Sequence, residues 1–290
     1  MAIDLHIHSK SCSDGNLTVK EIVKEARSRN IRLMSITDHD SVACQPEAQA
    51  LSRKNNIRYL SGVELNVTFF HPKYKKGKRI SLDFLGYMFD IENSKLNSKL
   101  EEISKHRQER AERILNRLNI EFSKEGITKL TKDDLHMIQS TVDGVLGRPH
   151  IASYLIAKGI VKTPSEAFDK YLVKCNVPKY PLYLEDASTL LRNAGGMMVL
   201  AHPNDPHGTS LARLTTSLYR QTQIINDSIL RYIDGIECWH SRNDAQTSAH
   251  YVKFSRNHRL IMTGGSDCHQ KPILMGTVRV PKYVADQFHT

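Results

Sequence analysis

Short apolar runs recur along the whole chain, and nearly every one ends in a histidine, an aspartate or a glutamate. The runs at 3–8, 32–37, 57–65, 80–89, 197–201, 233–238 and 260–263 read as strands, being short, apolar and bounded by turn residues. Amphipathic helices lie between the first of them. The earliest opens on the capping box Thr18-Val19-Lys20-Glu21 and carries Ile22, Val23 and Ala26 on one face. Strands alternating with helices imply parallel βα units. The pattern therefore predicts an α/β fold, either a barrel related to the (β/α)₈ type but with seven strands, or an open sheet. In such barrels the reacting groups collect at the C-terminal strand ends, which is where the polar residues of this chain fall.

One stretch breaks the alternation. From 93 to 183 the pattern is helical, with Leu96, Leu100, Ile103, Ala111, Ile114, Leu115 and Leu118 recurring as a core-facing stripe. This divides the chain into a barrel domain, 1–92 with 184–290, and a helical insertion at 93–183 expected to shape substrate access.

Charge narrows the partners. Lys and Arg number 41 against 31 Asp and Glu, a net charge of +10, which favours phosphorylated small molecules, nucleic acid or acidic surfaces. The run His71-Pro72-Lys73-Tyr74-Lys75-Lys76-Gly77-Lys78-Arg79 is either a solvated loop or a face turned to substrate. No apolar run approaches the ~20 residues that cross a bilayer, so no membrane partner is expected. The first residues lack the layout of a signal peptide, which makes the cytoplasm the expected location. Five scattered cysteines with no C-x-x-C pair do not suggest a disulfide framework, and reduced thiols are expected.

The strand ends carry the chemistry. Asp4, His6 and His8 share one face of the first strand and Ile3, Leu5 and Ile7 the other, because strand side chains alternate. Two histidines on a face that a barrel buries favour metal ligation, with Asp4 placed to accept the second ring N–H of one of them. Ser13-Asp14-Gly15 by itself reads as a turn. Thr37-Asp38-His39-Asp40-Ser41 supplies His39 as a metal candidate and Asp38 as its neighbouring support, while Asp40 reads as a helix cap. Glu64 and Asp83 place carboxylates inside apolar strands, which is costly unless they are paired or ligating. His202, the segment Gly235-Ile236-Glu237-Cys238-Trp239-His240, and Ser266-Asp267-Cys268-His269 close the later strands. Many imidazoles with several carboxylates suit zinc, iron or manganese and exceed what one ion needs. Two or three ions would offset the charge of a phosphate and generate hydroxide from water. Phosphoester hydrolysis is the natural reading, with amide or ester hydrolysis open on ligand types alone.

The motifs Asp4-Leu5-His6-Ile7-His8, Thr37-Asp38-His39-Asp40-Ser41, Gly62-Val63-Glu64, Ala201-His202-Pro203 and Ser266-Asp267-Cys268-His269 resemble, in order, those of the PHP (polymerase and histidinol phosphatase) family of metal-dependent phosphoesterases. The resemblance implies a distorted (β/α)₇, TIM-like barrel with a trinuclear site. Carried over by motif, His6, His8, Glu64 and Asp267 hold one ion and Asp14, His39 and His269 a second, while Glu64 bridges to a third ion shared with His202. Asp83 stands where many members have a histidine, which favours harder metals at the third position. The insertion resembles the branch acting on nucleoside monophosphates and 3′,5′-bisphosphates through Gly147-Arg148-Pro149-His150-Ile151-Ala152, which implies phosphate contacts from Arg148 and His150. From the residues alone, Arg148-Pro149-His150 also reads as a helix start with Pro in the first turn. His240 is either a substrate contact or proton donor, or a surface histidine. The expected activity is a phosphomonoesterase acting on a nucleotide or nucleoside 3′,5′-bisphosphate. In it a metal-bridging hydroxide attacks phosphorus, Arg148 stabilises the phosphoryl charge, and His202, His240 or a water protonates the leaving oxygen. The alternatives are a 5′→3′ exonuclease on short RNA or DNA and a non-catalytic module that binds metal or nucleic acid.

Overall fold

The computed structural model describes residues 2–140, 147–270 and 272–288. The segment 141–146 of the expected insertion lies outside them. Two compact units emerge, one comprising Met1–Ser98 with Leu182–Thr290 and the other Lys99–Pro181.

The first unit holds eight strands: β1 Ala2–Ile7, β2 Ile31–Ile36, β3 Arg58–Tyr59, β4 Gly62–Phe69, β5 Ile80–Tyr87, β6 Met197–Leu200, β7 Gly235–His240 and β8 Ile261–Gly265. Its first two helices are α1, Val19–Ser28, and α2, Gln45–Lys54. Thr18 caps α1 through the capping box, and Val19, Ile22, Val23 and Ala26 are buried beneath it, as the spacing predicts. The strands form two sheets, β1-β2-β3 and β4-β5-β6-β7-β8. Isolated parallel bridges from Ile7 to Cys268 and from His39 to Glu64 join the strand ends of one sheet to those of the other. The C-terminal ends of β1, β2, β4 and β8 therefore meet.

Three expectations are corrected. The run 57–65 is two strands, β3 and β4, separated at Leu60 and Ser61. β5 runs antiparallel to both β4 and β6, so the units are not all parallel. The physical cause lies in the connection at 70–79, which holds one short 3₁₀ turn and no crossover helix; a parallel pair needs a dozen or more residues to return. Finally, Cys12 and Cys44 are bonded as a disulfide across 32 residues. β1 and β2 are neighbours, so the loops that follow them converge and bring these two cysteines together. Cys175, Cys238 and Cys268 are free and buried, as expected.

The second unit is helical. α3, Ser94–Glu125, is followed by α4 Lys132–Ser140, α5 Arg148–Ala157 and α6 Pro164–Ala167. The stripe from Leu96 to Leu118 is buried throughout. Within the unit Ile114, Leu118 and Phe122 pack with Ile138, Leu155 and Leu172. Three further helices, α7 Leu184–Asn193, α8 Leu218–Ile224 and α9 Ala245–Asn257, belong to the first unit. No helix among the described residues is long and apolar enough to cross a membrane.

Candidate metal centre

Strand alternation puts His6 and His8 on one face of β1, and their Nε2 atoms lie 3.1 Å apart. Both rings are fully buried, and both face the same two carboxylates. His6 Nε2 is 3.5 Å from Glu64 and 3.4 Å from Asp267. His8 Nε2 is 3.3 Å from each. Glu64, on β4, reaches further. Its Oε1 is 3.0 Å from His202 Nε2 and its Oε2 is 2.9 Å from His39 Nδ1. Asp267, after β8, also meets His240 Nε2 at 3.3 Å and His269 Nδ1 at 3.3 Å. Nearer the solvent, Asp14 Oδ1 is 3.3 Å from His269 Nε2 and 3.8 Å from His39 Nε2. The rings of His8 and His269 stack at 3.9 Å.

The backbone bends to make this possible. His202 has φ +25° and Asp267 φ +53°, both in the left-handed region that non-glycine residues avoid. Such strain persists only where the surroundings fix it, and it concentrates at functional sites. Gly15 and Gly265 serve the same end. A Cβ at either would strike backbone atoms, His8 O at 2.1 Å and His6 N at 2.4 Å respectively.

Electrostatics couple the imidazoles to the carboxylates. Burial alone would lower the His6 imidazole, yet Glu237, Asp267 and Glu64 hold it well above its ordinary value. Burial would raise Glu64, but His39 and His6 hold it well below the carboxylate range. Asp267 is held down in the same way by His6 and His240, and Asp14 by His39 and His269. Each imidazole thus lies against carboxylates that a cation bridging nitrogen and oxygen donors would also engage. Among the described residues, the buried Nδ1 atoms of His8 and His202 have no hydrogen-bond partner. Among the described residues, ligand atoms close enough to share an ion form three overlapping sets, His8, Asp14, His39 and His269; His6, His8 and Asp267; and His6, Glu64 and His202; a fourth group, Cys12, Asp38 and Cys44, has its two sulfurs joined in the disulfide. The three sets are mixed imidazole and carboxylate donors of the kind that borderline divalent ions prefer, so the residues fit a cluster of such ions.

Other expected residues fall elsewhere. Asp83 belongs to none of the three sets among the described residues, and its carboxylate accepts from Asn66 Nδ2 at 2.5 Å. Asp38 accepts from Ser9 N at 2.6 Å and Ser9 Oγ at 2.7 Å, and burial pushes its carboxyl up to about 6. Asp4 does not accept a ring N–H. Its oxygens take the backbone N–H groups of Ser266 at 2.9 Å and Gly276 at 2.8 Å, which ties the start of β1 to the chain after β8. Asp40 caps no helix and accepts from Asn66 N at 3.1 Å. The ring partner expected of Asp4 is instead Glu237, on β7, whose Oε1 is 3.0 Å from His6 Nδ1. Its sequence signal is the same as that of Glu64 and Asp83, a carboxylate inside an apolar strand.

In the helical unit, Arg148 opens α5 and His150 caps it, its Nδ1 accepting from Gly147 N at 3.0 Å. Arg148 donates to Leu172 O at 3.3 Å and lies over the Phe168 ring. Nearby Arg110 is buried and donates to Val177 O at 2.6 Å; burial, reinforced by the charge of Arg148, pushes its guanidinium down to about 10.

Comparison with known proteins places this geometry. The PHP domain profile matches residues 4–176. A 3′,5′-nucleoside bisphosphate phosphatase of Chromobacterium violaceum is 29% identical over 273 residues, covering 92% of this chain and 87% of the relative. A 5′-3′ exoribonuclease of Haemophilus influenzae is 29% identical over 207 residues, covering 69% of this chain and 68% of the relative. Among solved structures, one determined as a metal-dependent phosphoesterase from Bifidobacterium adolescentis superposes with a TM-score of 0.77 at 27% identity, covering 98% of this chain and 94% of that one.

Proposed function

The chain belongs to the PHP domain family, and from that premise we propose that this hydrolase releases phosphate from a nucleotide or nucleoside 3′,5′-bisphosphate with the help of two or three divalent ions. The observation that carries the reading is the convergence of His6, His8, His39, Glu64, His202, Asp267 and His269 on shared ligand positions. The relative named as a bisphosphate phosphatase supports the substrate class. In this reading His6, His8, Glu64 and Asp267 hold one ion, Asp14, His39 and His269 a second, and Glu64 with His202 a third, the metals being manganese, iron or zinc. Such ions supply Lewis acidity toward a phosphoryl group and an activated water. The two sheets form a distorted (β/α)₇-type barrel.

The chain's own groups do the rest. Glu64 spans the cluster with both oxygens, which sets the spacing of the ligands on either side. Asp267 orients His240 by a contact of 3.3 Å, and His240 is assigned the proton that the leaving oxygen takes up, with His202 or a water as the other donor. Arg148 and His150 are assigned to a substrate phosphate, for which a guanidinium offers a bidentate grip.

Metal analysis followed by phosphate release from mononucleotides, 3′,5′-bisphosphates and oligonucleotides tests this. Asp267→Ala should lose ions and activity together, and Arg148→Ala should raise KM. Activity that persists in the Asp267→Ala protein would contradict the assignment. A second reading, 5′→3′ cleavage of short RNA, draws on the Haemophilus relative and on a groove of about 760 Å³ beside His240 that is lined by Trp239, Arg256, Arg279 and Tyr283. Aromatic and arginine side chains together suit stacked bases and a phosphate backbone. Release from oligonucleotides in preference to mononucleotides would favour it.

A further inference from the structure

Glu237 is buried without exposure in the middle of β7, and both of its oxygens are committed. Oε1 is 3.0 Å from His6 Nδ1, and Oε2 accepts from the backbone N–H of His202 at 2.8 Å. We propose that Glu237 is a positioning residue that locks two metal ligands at once, the ring of His6 on β1 and the bent backbone of His202 after β6. The inference rests on the metal-centre reading above and extends it to a residue that holds no ion.

Each bond has a distinct consequence. A His6 ring that donates Nδ1–H to Glu237 carries its lone pair on Nε2, the atom that faces His8, Glu64 and Asp267. The carboxylate therefore selects the ligating tautomer and strengthens the ring as a donor. Gly265 packs directly against the His6 backbone, which fixes where the residue sits but leaves its ring orientation to Glu237. At His202 the task is conformational. Its φ of +25° is unfavourable for any residue with a side chain, and the bond from its N–H holds that bend. Only with the bend in place does His202 Nε2 reach Glu64 at 3.0 Å, its ring stacked on His6 at 5.6 Å. Burying a carboxylate is costly unless its oxygens are satisfied. Here both are satisfied by ligand residues, so the cost is offset at the site that needs order. His8, Asp14, His39 and His269, the more exposed set, do not bond to Glu237 in any described contact. The effect of losing the carboxylate should therefore be divided between the ions.

Glu237→Gln tests the division. A glutamine can accept one of the two N–H groups but turns its own NH₂ toward the other. Manganese and zinc binding would be measured by calorimetry and by elemental analysis after dialysis, with circular dichroism of the metal-free protein as the control for folding. The expected result is a variant that keeps one ion at wild-type affinity and binds the remaining ion or ions about 10- to 100-fold more weakly. Wild-type affinity at every position, or an equal loss at all of them, overturns the proposal. If the variant does not fold, ¹⁵N shifts of the histidine rings in the loaded wild-type protein decide instead: His6 should be protonated at Nδ1, and protonation at Nε2 overturns the proposal. A wild-type protein that takes up no ion would instead defeat the metal-centre reading itself, a separate outcome.

Discussion

At position 265 a single methyl group decides whether the cluster can form. A Cβ there would lie 2.4 Å from both the N and the Cβ of His6, atoms that belong to strand β1 rather than to the free end of a flexible side chain. Gly265→Ala should cost about 1–3 kcal/mol as an overpacked contact and weaken metal uptake with it. Urea denaturation of the metal-free variant reads the first effect and elemental analysis the second; an unchanged midpoint with full metal content would contradict the packing argument. Residues of this kind show where sequence reasoning succeeds. Alternation along β1 is a local property, so the shared face of His6 and His8 is legible from spacing alone. The partner of the His6 ring is not, because parity gives a face and says nothing about what crosses to it from 231 residues away. Asp4 was on the right face for the role that Glu237 fills. Asp14 was legible only through the family motif, since in isolation Ser13-Asp14-Gly15 looks like any turn.

Between elements, two ties lead to measurable outcomes. The Cys12–Cys44 disulfide joins the loop that carries Asp14 to the segment that follows His39. Closing 32 residues of chain restricts the unfolded state, and its loss should cost about 2–4 kcal/mol. The urea midpoint of the Cys12→Ser, Cys44→Ser double variant should fall accordingly, and wild type should match it under reducing conditions. The second tie is in the helical unit. Asp134, on α4, accepts from Thr131 N at 2.7 Å and from Tyr154 Oη of α5 at 2.5 Å, which hold its carboxyl well below the usual range. A carboxyl depressed in the folded state contributes stability above its unfolded value, near 3.8, and that contribution is lost as the pH falls through the folded value. Amide shifts of α4 and α5 should therefore begin to move only below about pH 4 in wild type, and Asp134→Asn should already show the displaced shifts at pH 7. Shifts that already titrate at about pH 4, where a free carboxyl does, would contradict the tie. Helices were the more legible elements: the stripe from Leu96 to Leu118 has a period of its own and is buried as expected. Strand direction was less so, since it depends on the connection. The antiparallel β5 follows from the lack of a helix at 70–79, a negative signal that an alternating α/β pattern hides.

Taken whole, the molecule brings together residues from both ends of its sequence, from His6 to His269, in one unit. The strand-end pattern foresaw that convergence because α/β folds collect their strand termini on one face. It could not foresee the depth order, with His6, Glu64 and His202 buried, His39 and His269 part-exposed and Asp14 exposed, because depth depends on how the strand ends and loops pack in three dimensions. A net charge of +10 agrees with an anionic substrate but selects none. The most direct test is anomalous diffraction from crystals of the chain loaded with manganese or zinc. The expected result is two or three peaks bracketed by His6, His8, His39, Glu64, His202 and Asp267, at about 2.0–2.2 Å from their donor atoms. Fully loaded crystals with no anomalous peak among those residues would contradict the account.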